Sequence, residues 1–486
     1  MFGKIHIVWF ISFTSIAFSS IMGKKIKKET ATIMKNKNVD MCSGPLFLNI
    51  LRFAFPVILA DFLQRLYNAA DVVIVGRYAG QEALAGVGTT GSLTTLILNL
   101  FIGLSIGVSV AVGQALGSNN EEKTHRTVHT AMLISVVFGI LVSFIGVFFA
   151  KPLLKLISVP DDVMPQAKIY MQIVFVGKMP ALVYTFGAAI LRAKGDTKRP
   201  LYIALVSGLI NVALNLFFVI KLHMAADGVA LATTISQAFS AIAIIYIMCN
   251  DNDSTKLYIK KLKIYKKQII EILRIGIPSG IQSTIFAASN VLVQSSVNSF
   301  GSVAIAGSAA SNNIGGFYYG ALHSFATTVI AFVSQNKGAG NLKRINKAVV
   351  CCIVDVCFVW LVTVLLTIFA GEQLISLYAP GNVGAIKMGV TRLSIAGSFY
   401  GLCGLMDVMA GALRGIGYSL SAMIISIAGV CGIRIVWILT AFKAIGTFES
   451  LFYCFPLSWL GTFLMHTVVY IIVKKRLDKN RINDKI

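Results

Sequence analysis

The sequence predicts an all-α polytopic membrane protein, with twelve transmembrane helices in two six-helix bundles related by a parallel internal repeat. Three observations carry this. Of 486 residues, 56% are hydrophobic and only 13% charged, more apolar surface than a soluble domain of this size can bury. The apolar residues fall into twelve runs, each long enough at about 1.5 Å per residue to cross a hydrocarbon core of about 30 Å. Short motifs of the first half recur 222 positions later.

The runs lie at 46–75, 84–114, 128–150, 169–191, 200–221, 227–249, 269–299, 303–334, 347–370, 386–412, 419–441 and 451–473. Several exceed the minimum and hold Gly or Pro, which implies tilted or bent helices. Basic residues crowd the segment before the first run and the connections at 115–127 (Lys123, Arg126), 192–199 (Arg192, Lys194, Lys198, Arg199), 250–268 and 337–347 (Lys337, Lys343, Arg344, Lys347). They return at Lys474, Lys475 and Arg476. Every second connection is basic, so both termini are expected in the cytoplasm of a multi-pass inner or plasma membrane protein. The weakest point is 151–168, where Lys151, Lys155 and Lys168 accompany Asp161 and Asp162.

This placement also explains the net charge of +23, which in a soluble chain would suggest nucleic acid and here sets topology instead. No nucleic-acid partner is expected. The eight cysteines are scattered, mostly in apolar runs and without CxxC spacing. They read as small buried hydrophobes, and support neither a disulfide framework nor a metal site.

The repeat pairs Leu51-Arg-Phe-Ala-Phe-Pro56 with Leu273-Arg-Ile-Gly-Ile-Pro278, and Leu191-Arg-Ala-Lys-Gly195 with Leu413-Arg-Gly-Ile-Gly417; Gln114 corresponds to Gln335, one position short of the same offset. Six spans per copy is an even number, so both copies run the same way through the membrane. A pseudo-two-fold axis along the membrane normal and a central cavity follow, as in alternating-access carriers. The expected organisation is a cytoplasmic N-terminal segment 1–45, an N-terminal lobe 46–249, a basic linker 250–268, a C-terminal lobe 269–473 and a basic cytoplasmic tail 474–486. Ile5 to Met22 is apolar and is followed by Lys24, Lys25, Lys27 and Lys28. It reads as an extra span, a lipid-surface helix or translation from an upstream start; the last is favoured, with the working protein beginning near Met34.

Acids inside apolar helices are the first functional candidates, because an intramembrane carboxylate is costly and by default marks an ion or cation site. Asp71 lies in Tyr67-Asn-Ala-Ala-Asp71-Val-Val. It is expected either to hold a proton part of the time or to be neutralised by a bound cation such as Na⁺. Gln64 and Asn68 precede it by seven and three residues, on roughly one helix face, and are expected to line the same cavity. Asp407 is flanked by Met406 and Met409, whose soft side chains suit varied hydrophobic cations, so Asp407 and Met406 are substrate-cavity candidates. Asp61 is expected to pair with Arg65 one turn on. Asp355 has no assigned role, His323 reads as packing in preference to a proton relay, and Arg434 finds no place. Asn211, Asn215 and Thr233 read by themselves as interhelical hydrogen-bond glue.

Two enzyme-like motifs carry nothing. Gly86-Val-Gly-Thr-Thr-Gly91 fits GxGxxG outside any βαβ unit, and Gly103-Leu-Ser-Ile-Gly107 fits GxSxG in mid-helix, where a nucleophile elbow cannot form. With no triad or metal cluster, no enzymatic activity is expected.

The pattern Leu66-Tyr-Asn-Ala-Ala-Asp71-Val-Val-Ile-Val-Gly76-Arg, followed by Ala83-Leu-Ala-Gly-Val-Gly88, resembles the first two helices of the multidrug and toxic compound extrusion (MATE) transporters. Leu191-Arg-Ala-Lys-Gly-Asp-Thr197, Asn211-Val-Ala-Leu-Asn215, Gly228-Val-Ala-Leu-Ala-Thr233 and Gly411-Ala-Leu-Arg-Gly415 resemble them too, in order and across both halves. The resemblance implies export of organic cations or amphipathic drugs in exchange for protons or sodium ions, with no other cofactor. It implies that Asp71 is the first-helix acid of an N-terminal ion site continued by Asn211, Asn215 and Thr233. Many relatives carry Asp where this chain has Asn215, which halves the available negative charge. It also matches Asp407, approximately, to an acid that some relatives place on the tenth helix. The seventh helix, Ile277 to Phe300, has no Asp or Glu, unlike relatives that use a glutamate there.

The expectation is therefore a secondary active antiporter, working as a monomer in the bilayer on small organic cations. The alternative is a lipid-linked precursor flippase of the same broad superfamily, whose cavity would be rich in Arg or Lys; here the mid-helix ionisable groups are mostly acidic. A receptor or scaffold is the rival of another class, and the chain has no extramembrane domain to serve one.

Overall fold

The computed structural model describes residues 38–157 and 159–483; the expectation for residues 1–33 lies outside them. Among the described residues every regular element is helical. The N-terminal lobe holds α1 (Leu46–Tyr78), α2 (Gln81–Gly117), α3 (Glu121–Phe148), α4 (Met164–Val176 and, after a 42° bend, Lys178–Ala193), α5 (Lys198–Lys221) and α6 (Ala226–Asn250). The C-terminal lobe holds α7 (Lys266–Asn298), α8 (Ser302–Gly338), α9 (Leu342–Ser376), α10 (Val383–Ile416), α11 (Ser419–Ile445) and α12 (Phe448–Lys479). Large apolar side chains such as Phe55, Ile242, Phe369 and Val436 point outwards, where lipid tails solvate them.

Two expected boundaries move. The last helix, α12, continues past 474 to Lys479, so the start of the tail expected from 474 is helical. The span expected at 169–191 is two helices broken at Gly177, and a short helix, Ala150–Leu156, lies in the connection before it.

The repeat extends to irregularities. Pro56 lies inside α1 and Pro278 inside α7, each removing one backbone donor from its helix. A π-helical turn closes α5 at Phe217–Lys221, and another lies at Ile438–Phe442 in α11. Asn120 and Asn341 cap α3 and α9, each accepting the backbone N–H three residues on.

Lipid tails are as apolar as leucine, so membrane helices associate where small residues let backbones touch. A Cβ added at Gly103 or Gly107 of α2 would overlap the backbone of α7 near Gly280 and Ile272, and one at Gly280 would stand 2.5 Å from the Leu100 carbonyl oxygen. Farther along, Gly117 lies on the Gln335 carbonyl and Gly338 on the Gln114 carbonyl. The two glutamines cross between lobes as a reciprocal pair: Gln114 Nε2 donates to the Gly415 carbonyl at 3.0 Å, and Gln335 Nε2 to the Ala193 carbonyl at 2.6 Å. Phe53 of α1 meets Phe332 of α8 edge-on, ring centres 5.8 Å apart. Asn336 and Arg344 also hold the carbonyl of buried Met41 ahead of α1, at 2.9 and 3.0 Å.

The linker is tied down at the same end. Lys194 pairs with Asp251 and Asp253, while His129 Nε2 accepts the Tyr258 backbone N–H at 3.0 Å and Thr130 Oγ1 that of Tyr265 at 3.2 Å. The lobes are thus joined at the end that carries the basic connections.

Replacing both Gln114 and Gln335 by alanine removes two interlobe hydrogen bonds, together about 1–3 kcal/mol. The ratio of closed to separated lobes should fall roughly 5- to 150-fold. Pulsed electron-resonance distances between labels at the exposed positions 118 and 339 report it, and an unchanged distribution would show that the glutamines are not a clasp.

Candidate functional site

In the N-terminal lobe, α1, α5 and α6 bring together the residues expected there. Asp71 is half-buried. Asn215, fully buried, donates from Nδ2 to Asp71 Oδ1 at 2.5 Å and to Asn211 Oδ1 at 3.3 Å, and Asn211 Nδ2 reaches Thr233 Oγ1 at 3.4 Å. Both Asn215 amide protons are used, and its Oδ1 is buried without a partner, a shortfall of about 1–3 kcal/mol. The Asp71 carboxylate, the Asn215 and Asn211 amide oxygens and the Thr233 hydroxyl form an all-oxygen donor set, the type suited to a small hard cation. Asp71 can equally take a proton. Asn215 donates as a protonated second acid would, while carrying no charge. Among the described residues Asp71 has no salt-bridge partner. Tyr170 of α4 packs with Ile74 and Val75 one turn beyond it.

Gln64 and Asn68 are exposed and contact each other at 3.4 Å; no hydrogen bond joins them to Asp71. Asp61 pairs with Arg65, Nε to Oδ2 2.7 Å, against Gly316 and Gly320 of α8, where any side chain would crowd the pair.

In the C-terminal lobe Asp407 is 6% exposed, and its Oδ2 lies 3.0 Å from His323 Nδ1, which also contacts the Tyr319 hydroxyl at 3.1 Å. The Tyr319 and His323 rings stack, centres 5.1 Å apart. Two turns along α10, buried Arg414 donates to Gln282 Oε1 at 2.8 Å. His323 is therefore not simple packing: it is the hydrogen-bond partner of a buried acid, with its own side chain 42% exposed. Met406 is not in a cavity wall. It is 1% exposed and lies in the apolar core with Val430, Phe452 and Phe455, because one residue of helix turns its side chain about 100° from that of Asp407. Asp355 of α9 is buried and its Oδ2 has no partner.

The sequence pattern of the MatE family matches residues 56–217 and, a second time, 278–440, one copy per lobe. The chain belongs to the MatE family. Its relatives include the probable multidrug resistance protein YoeA of Bacillus subtilis (strain 168), 27% identical over 390 residues, covering 79% of this chain and 84% of the relative. The multidrug export protein MepA of Staphylococcus aureus (strain MRSA252) is 21% identical over 433 residues, 88% of this chain and 94% of its own. A MATE transporter of the MOP superfamily solved in an outward-facing conformation superposes with a TM-score of 0.84 at 18% identity, over 91% of this chain and 99% of that one, which establishes the fold. The chain is thus a multi-pass cell-membrane protein of a transporter family, and not an enzyme.

Tyr170 and Tyr319 went unread in the sequence. The one-turn spacing of Tyr319 and His323 is a signal for the second; nothing local marks the first. His323→Ala leaves the Asp407 carboxylate buried without its partner and should destabilise the detergent-purified protein by about 1–3 kcal/mol, seen as a lower melting temperature. His323→Gln, which keeps a donor, should recover much of the loss. Equal melting of the alanine variant and the parent would deny that the contact matters.

Proposed function

We propose that this MATE protein is a secondary active antiporter that exports amphipathic organic cations in exchange for protons or sodium ions. The observation that carries this reading is Asp71: an intramembrane carboxylate hydrogen-bonded to an amide and without a salt-bridge partner among the described residues, beside a buried oxygen that lacks a donor or cation. Binding of H⁺ or Na⁺ there alters the hydrogen bonds that link α1, α5 and α6, and so the packing of the N-terminal lobe and its hold on a compound between the lobes. The alternation of basic connections supports cytoplasmic termini, which makes the clasped end the cytoplasmic one. Asp71 then stands seven residues from the outer end of α1, on the side from which the driving ion enters. One chain supplies both lobes, consistent with a working monomer. Exchange of one proton for one monovalent cation is electroneutral, so each pH unit contributes about 1.4 kcal/mol, a tenfold accumulation. The names of the multidrug relatives favour export over the flippase alternative.

Ethidium efflux from vesicles under an imposed pH or Na⁺ gradient tests the proposal. Asp71→Asn should abolish gradient-driven efflux while the protein still reaches the membrane in normal amount; full efflux by that variant would sink the mechanism. The gradient that drives the parent protein identifies the ion.

A further inference from the structure

The linker between the lobes carries Lys256, Lys260, Lys261 and Lys263, the first turn of α7 adds Lys266 and Lys267, and there is no acid from Ser254 to Ile270. Among the described residues none of these lysines joins a salt bridge, and the acids beside them are engaged elsewhere. Asp251 and Asp253 hold Lys194, Glu122 holds Arg126 and Glu271 holds Lys123. The segment is fixed to the N-terminal lobe. Leu257 is buried in that lobe's core and Leu262 packs against it, the Leu257 N–H donates to the Met248 carbonyl at 2.9 Å, and His129 and Thr130 take the N–H groups of Tyr258 and Tyr265. With the two leucines turned inward, Tyr258, Ile259, Lys260, Lys261, Lys263 and Ile264 are left exposed on the other side. The cations are seated on rings: Lys256 and Lys261 Nζ lie 5.6 and 4.9 Å from the centre of Tyr258, and Arg126 Cζ and Lys263 Nζ lie 5.2 and 5.9 Å from that of Tyr265.

This surface lies where the bilayer begins. α6 ends at Asn250 and α7 starts at Lys266, so the linker is bounded on both sides by membrane helix. At about 100° per residue, Arg126 stands in line with Val137 and Phe144 of α3, which are exposed apolar side chains facing lipid. On α7, Lys266 stands one turn before exposed Ile270. Setting topology requires positive charge in the connection, but not that it be gathered on one face, seated on aromatic rings and mixed with isoleucines. At the headgroup level those isoleucines enter the acyl boundary while the lysines reach for phosphate. A small anion from solution would satisfy the lysines and leave the isoleucines in water; a phospholipid answers both.

We propose that the outward face of the linker and the first turn of α7, from Tyr258 to Lys267, is a docking surface for anionic phospholipid. Lys261, Lys263 and Lys266 take the negatively charged headgroup by charge-assisted hydrogen bonds, while Tyr258, Ile259 and Ile264 settle into the boundary beneath it. Each lysine held at a negatively charged bilayer surface strengthens the contact about fivefold, and the effect fades beyond a screening length of about 8–10 Å. The lipid thus holds against the bilayer the segment that joins the two lobes. This binding stands whichever ion or compound the protein transports.

The test is native mass spectrometry of the purified full-length protein, titrated in detergent with phosphatidylglycerol, phosphatidylcholine, glycerophosphoglycerol and inorganic phosphate. The first phosphatidylglycerol should bind at least about tenfold more tightly than the first phosphatidylcholine. A variant carrying Lys261→Gln, Lys263→Gln and Lys266→Gln should lose most of that preference. One carrying Lys474→Gln, Lys475→Gln and Arg476→Gln, which removes equal charge from the end of α12, should keep it. Equal binding of the two lipids to the parent overturns the site, and this comparison decides the matter even where a variant fails to fold. A preference that survives the linker variant, or that falls as far in the α12 variant, overturns it too. Glycerophosphoglycerol or inorganic phosphate binding as tightly as the lipid overturns the phospholipid as occupant in favour of a free anion.

Discussion

The close backbone approach of α2 and α7 is the constraint on which the rest of the structure depends. In lipid no hydrophobic force draws one lobe to the other, so their association rests on van der Waals contact and hydrogen bonds made where side chains are absent. Gly103, Gly107, Gly276 and Gly280 provide that absence. Because the seam continues through Gly117, Gly338 and the crossed glutamines, it joins the lobes beside the basic connections. A carrier needs contacts strong enough to hold one state and weak enough to release it. Two neutral hydrogen bonds and a glycine seam have that character, since they leave no charge stranded when they part.

The charges within the helices sort by how they are balanced. Asp61 has Arg65, and Asp407 has His323; these are settled inside the chain. Among the described residues Asp71 has only an amide, Asp355 leaves one oxygen unpartnered, and Arg392, Arg414 and Arg434 meet only hydroxyls, carbonyls and amides. Burial of a charge is tolerated when a counter-charge is present or arrives, so the unbalanced groups are where something from outside is expected.

Much of this was legible before any coordinate. Asp71 was marked by its apolar surroundings, and the Asp61–Arg65 pair by its one-turn spacing. The break in α4 was not, since Gly177 is one glycine among many and only the packing of α4 on α6 gives it meaning: a Cβ there would stand 2.8 Å from Thr234 Oγ1. Met406 was misplaced because adjacency in sequence to Asp407 says nothing about which way the next side chain points. His323 was undervalued because its partner lies 84 residues away on another helix.

Fold class, number of spans, alternation of charge and the twofold repeat were determined by the sequence itself, since hydropathy, loop charge and periodicity are properties of one segment at a time and the bilayer imposes them locally. The partners of each buried polar group were decided only by the tertiary structure. A helix turns about 100° per residue, so the rotation of each helix about its axis, set by packing against neighbours far away in the chain, determines which carboxylate meets a histidine, which meets an amide, and which arginines meet no acid.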